Sequence, residues 1–271
     1  MSDRFGDLEI EVITSRRALI NVIIGLSEHR EALTVLGGHA VIEVTQALGS
    51  VMPPDDVTRD GDLGVIPELL GAEPRLAERM RELGFETARP DRPGVWSPIS
   101  QRDRDIHLRD SVDLIAPMAL ARGSLTSGRR IRAARVGPHG KHAVSATNGT
   151  ELSLIDREWR TLRAFDDGPT VETYVASAAA LLCAKAYKIH DRMDPTELRR
   201  NRQRLRQKDF ADLYRLLLAI SPEEAAERFA RGAADQRIGD AVQLGRNHLI
   251  ELLGDSARGE HGRRCMGRPH P

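Results

Sequence analysis

The stretch from Leu36 to Val65 constrains this chain more than any other part of it. It reads LGGHAVIEVTQALGSVMPPDDVTRDGDLGV: a glycine pair opens an apolar segment, and Asp60 and Asp62 stand just ahead of another apolar run. Residues i and i+2 of a strand point to the same face. A strand over 58–65 therefore projects both carboxylates together. Two adjacent carboxylates repel unless a cation or a proton sits between them, and oxygen-rich sites of this kind suit Mg²⁺ or Mn²⁺. The backbone N–H groups of Gly37 and Gly38, at the start of a helix expected near His39, suit a phosphate chain. Together these are the minimum parts for nucleotidyl transfer. The competing view, a solvated turn at Arg59-Asp60-Gly61, is opposed by the apolar run Leu63–Ile66.

The chain has 271 residues, enough for one large domain or two modest ones. Lys plus Arg is 40 and Asp plus Glu is 40, so the net charge is zero and a constitutive nucleic-acid binder is disfavoured. Aromatic residues make up 4%, too few for broad base-stacking platforms. Cys183 and Cys265 are far apart in unlike surroundings, so neither a disulfide framework nor a cysteine zinc site is indicated. The start MSDRFGDLEIEV has no basic region followed by a hydrophobic run, and no segment is apolar enough to span a membrane. The cytoplasm is the expected location.

Apolar spacing predicts a helix over 14–31 and a short strand over 33–36 that Gly37-Gly38 turns into the next helix. After the strand 58–65, Pro67 opens a helix expected to run to about Leu83, where Gly84 ends it. Strands are expected at 85–87, 95–99, 106–108, 111–116, 151–155 and 171–175. Helices are expected at 178–192, 205–219, 222–231 and 235–253. The tail after Gly254 is rich in Gly, Arg and Pro and is expected to be disordered. The fold class is α+β, a small mixed sheet with helices over residues 1–170 and a helical C-terminal part over 171–254.

Asp113, between Val112 and Leu114, is the candidate third carboxylate, because an aspartate in such a run is costly to bury without a partner. A further cluster comprises Lys185, Lys188, Arg192, Lys208, Asp209 and Asp212. Lys185, Lys188 and Arg192 fall three and four apart on one helical face, and Asp209 and Asp212 pair similarly on a later helix. This arrangement suits either cations set over a triphosphate or an interhelical salt-bridge network. His39 lies where the phosphates would pass. The segment from Arg129 to His142 holds Arg129, Arg130, Arg132, Arg135 and Lys141, which suit a phosphate or RNA backbone or a solvated loop face. Trp96 and Trp159 read as packing residues.

Four segments carry a resemblance: VLGGHAV at 35–41, TRDGDLGV at 58–65, SVDLIAP at 111–117, and LLCAKAYKIHDR at 181–192 followed by KDFADLYRLL at 208–217. In this order they resemble the AbiEii-type nucleotidyltransferases, the toxin components of abortive-infection toxin–antitoxin pairs. The resemblance implies a polymerase-β-like nucleotidyltransferase domain followed by helices. It implies transfer from an NTP to tRNA or another RNA, or to a protein acceptor, with Mg²⁺ or Mn²⁺ and a cognate antitoxin. On this chain it implies Gly37 and Gly38 as the phosphate-facing turn, and Asp60 and Asp62, with Asp113, as metal ligands. It implies Lys188 and Asp209 as the later catalytic pair, with Lys185 as an alternative register. Three departures stand out: Gly38, with His39 beyond it, replaces the usual serine; the gap from Gly38 to Asp60 is long and contains Pro53-Pro54 and Asp55-Asp56; and Gly61 replaces an apolar or aromatic residue between the aspartates. Two other functions use the same residues: a catalytically inactive relative that binds RNA or protein, and a metal-dependent phosphohydrolase or nuclease.

Overall fold

The computed structural model describes residues 10–48, 58–89, 92–105, 109–120, 133–200 and 205–254. The expected strand at 106–108, Pro53-Pro54, Asp55-Asp56, Arg129, Arg130, Arg132 and the tail from 255 lie outside the described residues.

The described strands are β1 (Leu33–Val35), β2 (Asp60–Val65), β3 (Phe85–Arg89), β4 (Arg92–Pro98), β5 (Ser111–Pro117), β6 (Ser145–Thr147), β7 (Arg157–Arg163) and β8 (Thr170–Ala176). The helices are α1 (Ile10–Gly25), α2 (Gly37–Thr45), α3 (Leu76–Glu82), α4 (Ala178–Met193), α5 (Pro195–Arg200), α6 (Gln207–Ala219), α7 (Pro222–Ala233) and α8 (Gly239–Gly254). The strands form one mixed eight-stranded sheet in the order β3-β4-β5-β2-β1-β8-β7, with β6 joined to the far end of β5. The molecule is therefore α+β, with helices making up its C-terminal part.

β1, in the middle of the sheet, is buried on both faces. β5 shows how its sequence divides the work: Val112, Leu114 and Ala116 are fully buried on one face, while Asp113 and Ile115 are half-buried on the other. Truncating a residue such as Leu114 to alanine would cost roughly 2–5 kcal/mol. β2 repeats the division. Leu63 is fully buried, and a Cβ built on Gly61 would stand 2.9 Å from Leu19 Cβ of α1. Gly61 thus sits where Leu19 of α1 presses on the sheet, and the flanking Asp60 and Asp62 point the other way. Glycine at position 61 leaves room for α1 to pack against the strand.

Three expected elements differ. The helix expected from Pro67 to Leu83 is broken into a 3₁₀ turn, Pro67–Leu69, and α3. Pro74 lies between them, and proline lacks the N–H and restricts the residue before it. The strand expected at 151–155 is a buried 3₁₀ turn, Glu151–Leu154. There the Glu151 carboxylate accepts hydrogen bonds from the Gly149 N–H at 2.6 Å and the Ala119 N–H at 3.4 Å. The helix expected over 14–31 ends as α1 at Gly25 and continues as a 3₁₀ segment, Ser27–Ala32. Among the described residues, no helix is long and apolar enough to cross a membrane.

Candidate functional site

β2 and β5 run parallel and in register, so Asp62 stands opposite Asp113 and Asp60 opposite Ser111. All three acids share a sheet face, because i and i+2 alternate back to it. Asp60 is exposed at the start of its strand and accepts a hydrogen bond from Ser111 Oγ at 2.9 Å. Burial and the neighbouring Asp60 push the Asp62 carboxyl upward in pKa, against the pull of Lys188, Lys185 and Lys208. Burial, Asp62 and Asp60 hold Asp113 well above the usual carboxylate range. Asp113 Oδ1 is buried and has no hydrogen-bond partner among the described residues. A hard, oxygen-only donor set with an orphaned buried oxygen fits a divalent cation such as Mg²⁺.

The turn from β1 into α2 brings backbone against this pair. Gly37 has φ +60°, and a Cβ there would fall 1.7 Å from Asp62 Oδ2. Only glycine admits both the left-handed conformation and the carboxylate at that distance. Leu36 N–H donates to the Asp62 carbonyl at 2.9 Å, fixing the turn to the strand. Gly38 lies beneath Thr58, whose hydroxyl is bonded by Lys208 Nζ. His39, expected on the phosphate path, is instead fully buried against α1, with its Nε2 3.1 Å from Ser15 Oγ. The reason is helical rotation: two residues beyond Gly37 is about 200° around the helix. Burial, with Arg16 and Lys208 nearby, lowers the His39 pKa well below its ordinary value.

The opposite wall is built by α4 and α6. Ser177 caps α4, accepting from the Ala180 N–H at 3.1 Å, and places Lys185, Lys188 and Arg192 on one face. Asp209, buried at the start of α6, receives Lys185 at 3.4 Å, Lys188 at 2.9 Å and Arg192 at 2.5 Å. Burial raises the cost of ionising Asp209, but Lys188, Lys185 and Arg192 outweigh it and its pKa is lowered. Lys185 is itself buried and also bonded to Asp212 at 2.5 Å; the two aspartates overcome its desolvation and raise its pKa. Lys188 differs. Its side chain is 43% exposed, and burial of its ammonium, Lys185 and Arg192 lower its pKa despite Asp209. Asp209 thus holds three cations, one of which, Lys185, is also paired with Asp212.

Between the walls is a cleft of about 950 Å³. Gly37, Asp62 and Asp113 line one side, and Lys185, Lys188 and Arg192 line the other. Asp60 sits outside its lining but close enough to act electrostatically on Asp62 and Asp113. Thr147, Asn148 and Thr150 close a third edge. These three were missed in the sequence: the Asn-Gly pair at 148–149 signals only a turn. They reach the cleft because β6 pairs with the end of β5. The basic middle segment contributes no described residue to the lining. His139 is buried there and accepts the Leu76 N–H at Nδ1, 3.3 Å away. Trp96 is buried and donates to the Ala143 carbonyl at 2.9 Å, while Trp159 is 43% exposed and packs edge-on against Tyr174.

Compared with family models, curated proteins and solved structures, the chain matches nothing.

Proposed function

We propose that the protein is a metal-dependent nucleotidyltransferase that moves a nucleoside monophosphate from an NTP to a hydroxyl of RNA or protein. The observation that carries this is the in-register pair Asp62 and Asp113 on one wall of a cleft whose other wall is Lys185, Lys188 and Arg192. Asp62 and Asp113, with Asp60, would hold Mg²⁺ or Mn²⁺. Bound there, the cation would polarise phosphoryl oxygens and acidify the attacking hydroxyl.

The chain's own residues account for the rest. The α2 N-terminus at Gly37 and Gly38 offers backbone N–H groups to phosphate oxygens. Lys188, the more exposed lysine, meets the charge that grows on the leaving phosphates. Asp209 orients Lys188 and Arg192, and Lys185 is a positioning residue locked between Asp209 and Asp212. Asp113 would act as a metal ligand beside the acceptor hydroxyl or as the base that takes its proton. The acceptor oxygen bonds to the α-phosphorus, the α–β phosphoanhydride bond breaks, and pyrophosphate leaves.

One observation favours a second reading, binding without transfer: the place of a phosphate-facing serine is taken by Gly38 beneath the Thr58–Lys208 contact. The assay that separates them uses NTPs labelled at the α-phosphate, Mg²⁺ or Mn²⁺, and tRNA, total RNA and cellular protein. Label entering an acceptor supports transfer; metal-dependent NTP binding with no labelled product supports the second reading. The resemblance extends the proposal to a toxin neutralised by a cognate antitoxin. Growth arrest on expression, relieved by Asp62→Asn, tests that role.

A further inference from the structure

We propose that His190, His248 and Glu251 form a zinc-class metal site that clips α4 to α8 at the edge of the cleft. It is separate from the carboxylate pair and does not depend on the nucleotidyl-transfer proposal. His248 and Glu251 are three apart on α8 and share a face, while His190 comes from the second half of α4 and also lines the cleft.

Glu251 Oε2 lies 3.9 Å from His190 Nε2 and 3.8 Å from His248 Nδ1, and the three donor atoms all lie within 4.8 Å of one another. Those separations are too long for hydrogen bonds. His248 is more than nine-tenths buried, and its Nδ1 has no hydrogen-bond partner among the described residues. A buried nitrogen left in that condition costs roughly 1–3 kcal/mol. Tyr187 meets the His248 ring edge-on at 5.1 Å and His190 stacks on its face at 3.6 Å, so ligation by both imidazoles requires the exposed His190 ring to turn out of that stack.

A tetrahedral Zn²⁺ with bonds of about 2.0–2.1 Å spaces its ligands roughly 3.3–3.4 Å apart. The two distances to Glu251 need to shorten by about half an ångström, and the separation of the two histidine donors, within 4.8 Å, closes as the His190 ring turns. The exposed His190 and Glu251 side chains, 48% and 66% accessible, can make that movement. Two imidazole nitrogens and one carboxylate oxygen suit Zn²⁺, Co²⁺ or Ni²⁺ over Mg²⁺, and three protein ligands leave a fourth position open. Asp191 adds negative charge within electrostatic reach of His248.

The test is calorimetric titration of the full, untagged chain with ZnCl₂ in excess Mg²⁺, which occupies the carboxylate wall. Co²⁺ absorption serves as a second readout. One Zn²⁺ per chain and a four-coordinate cobalt spectrum are expected. His190→Gln and Glu251→Gln should each weaken Zn²⁺ affinity at least tenfold and lose that spectrum. Both side chains are exposed, so the metal-free melting temperature serves as the folding control. Absence of stoichiometric binding overturns the proposal. So does unchanged affinity in the two folded variants, because the ion would then lie elsewhere on the chain.

Discussion

Asp62 and Asp113 face each other across the parallel β2–β5 pair; burial with Asp60 raises the Asp62 pKa, and burial with Asp62 and Asp60 raises that of Asp113. Asp113 has a folded-state pKa above its ordinary 3.8. Its contribution to stability is therefore complete below that value and is lost as pH rises through the folded pKa. Asp113→Asn removes the repulsion. In chelator at neutral pH, the variant is expected to melt above wild type, by about 2–4 °C for each kcal/mol relieved. The difference should vanish toward pH 4. Melting curves across this range check it, and added Mg²⁺ should narrow the gap from the wild-type side.

Lys188 and Asp209 are expected to separate activity from stability. Lys188→Ala removes a partly exposed ion pair, worth about 1 kcal/mol or less, but should lower turnover roughly a hundredfold. Asp209→Asn leaves cations around a neutral buried amide and should cost roughly 3 kcal/mol. Asp209 has a lowered pKa, so its contribution is present above 3.8 and fades as pH falls through the folded value. Denaturant titration beside an activity assay gives both numbers. Equal losses of stability and activity for Lys188→Ala would make it a structural residue.

Gly37→Ala is expected to fail twice. Its Cβ would overlap Asp62 Oδ2 and its φ of +60° disfavours any side chain, a penalty of roughly 1–3 kcal/mol with loss of NTP binding. Gly61→Ala crowds Leu19 on the opposite face and should destabilise by about 1–3 kcal/mol, with NTP affinity retained. Melting temperature and NTP affinity measured together distinguish the two glycines.

Much of this arrangement is legible locally. The apolar run after Asp62 and the alternation Val112, Leu114, Ala116 mark β2 and β5, and the spacing of Lys185, Lys188 and Arg192 marks one helical face. What escapes local reading is set by distant contacts. β7, with the sequence REWRTLR, buries only Leu162 fully because it lies at the sheet edge, so its charge hides the strand. Thr147 and Asn148 enter the cleft through pairing of β6 with β5. His39 has a polar side chain in a glycine-rich turn, yet helix rotation carries it into the core. Glu151 looks like the start of a strand, but its carboxylate is used to hold the 147–149 turn.

The most direct test of the central claim, that the Asp62–Asp113 pair is catalytic, is transfer of label from α-labelled NTP in wild type, Asp62→Asn and Asp113→Asn. Each variant is first shown to be folded. Wild type is expected to label an RNA or protein acceptor and release pyrophosphate only when Mg²⁺ or Mn²⁺ is present. Both variants should fall by roughly a hundredfold or more. Transfer that is undiminished in folded Asp62→Asn would contradict the account, because the chemistry would then lie outside this cleft.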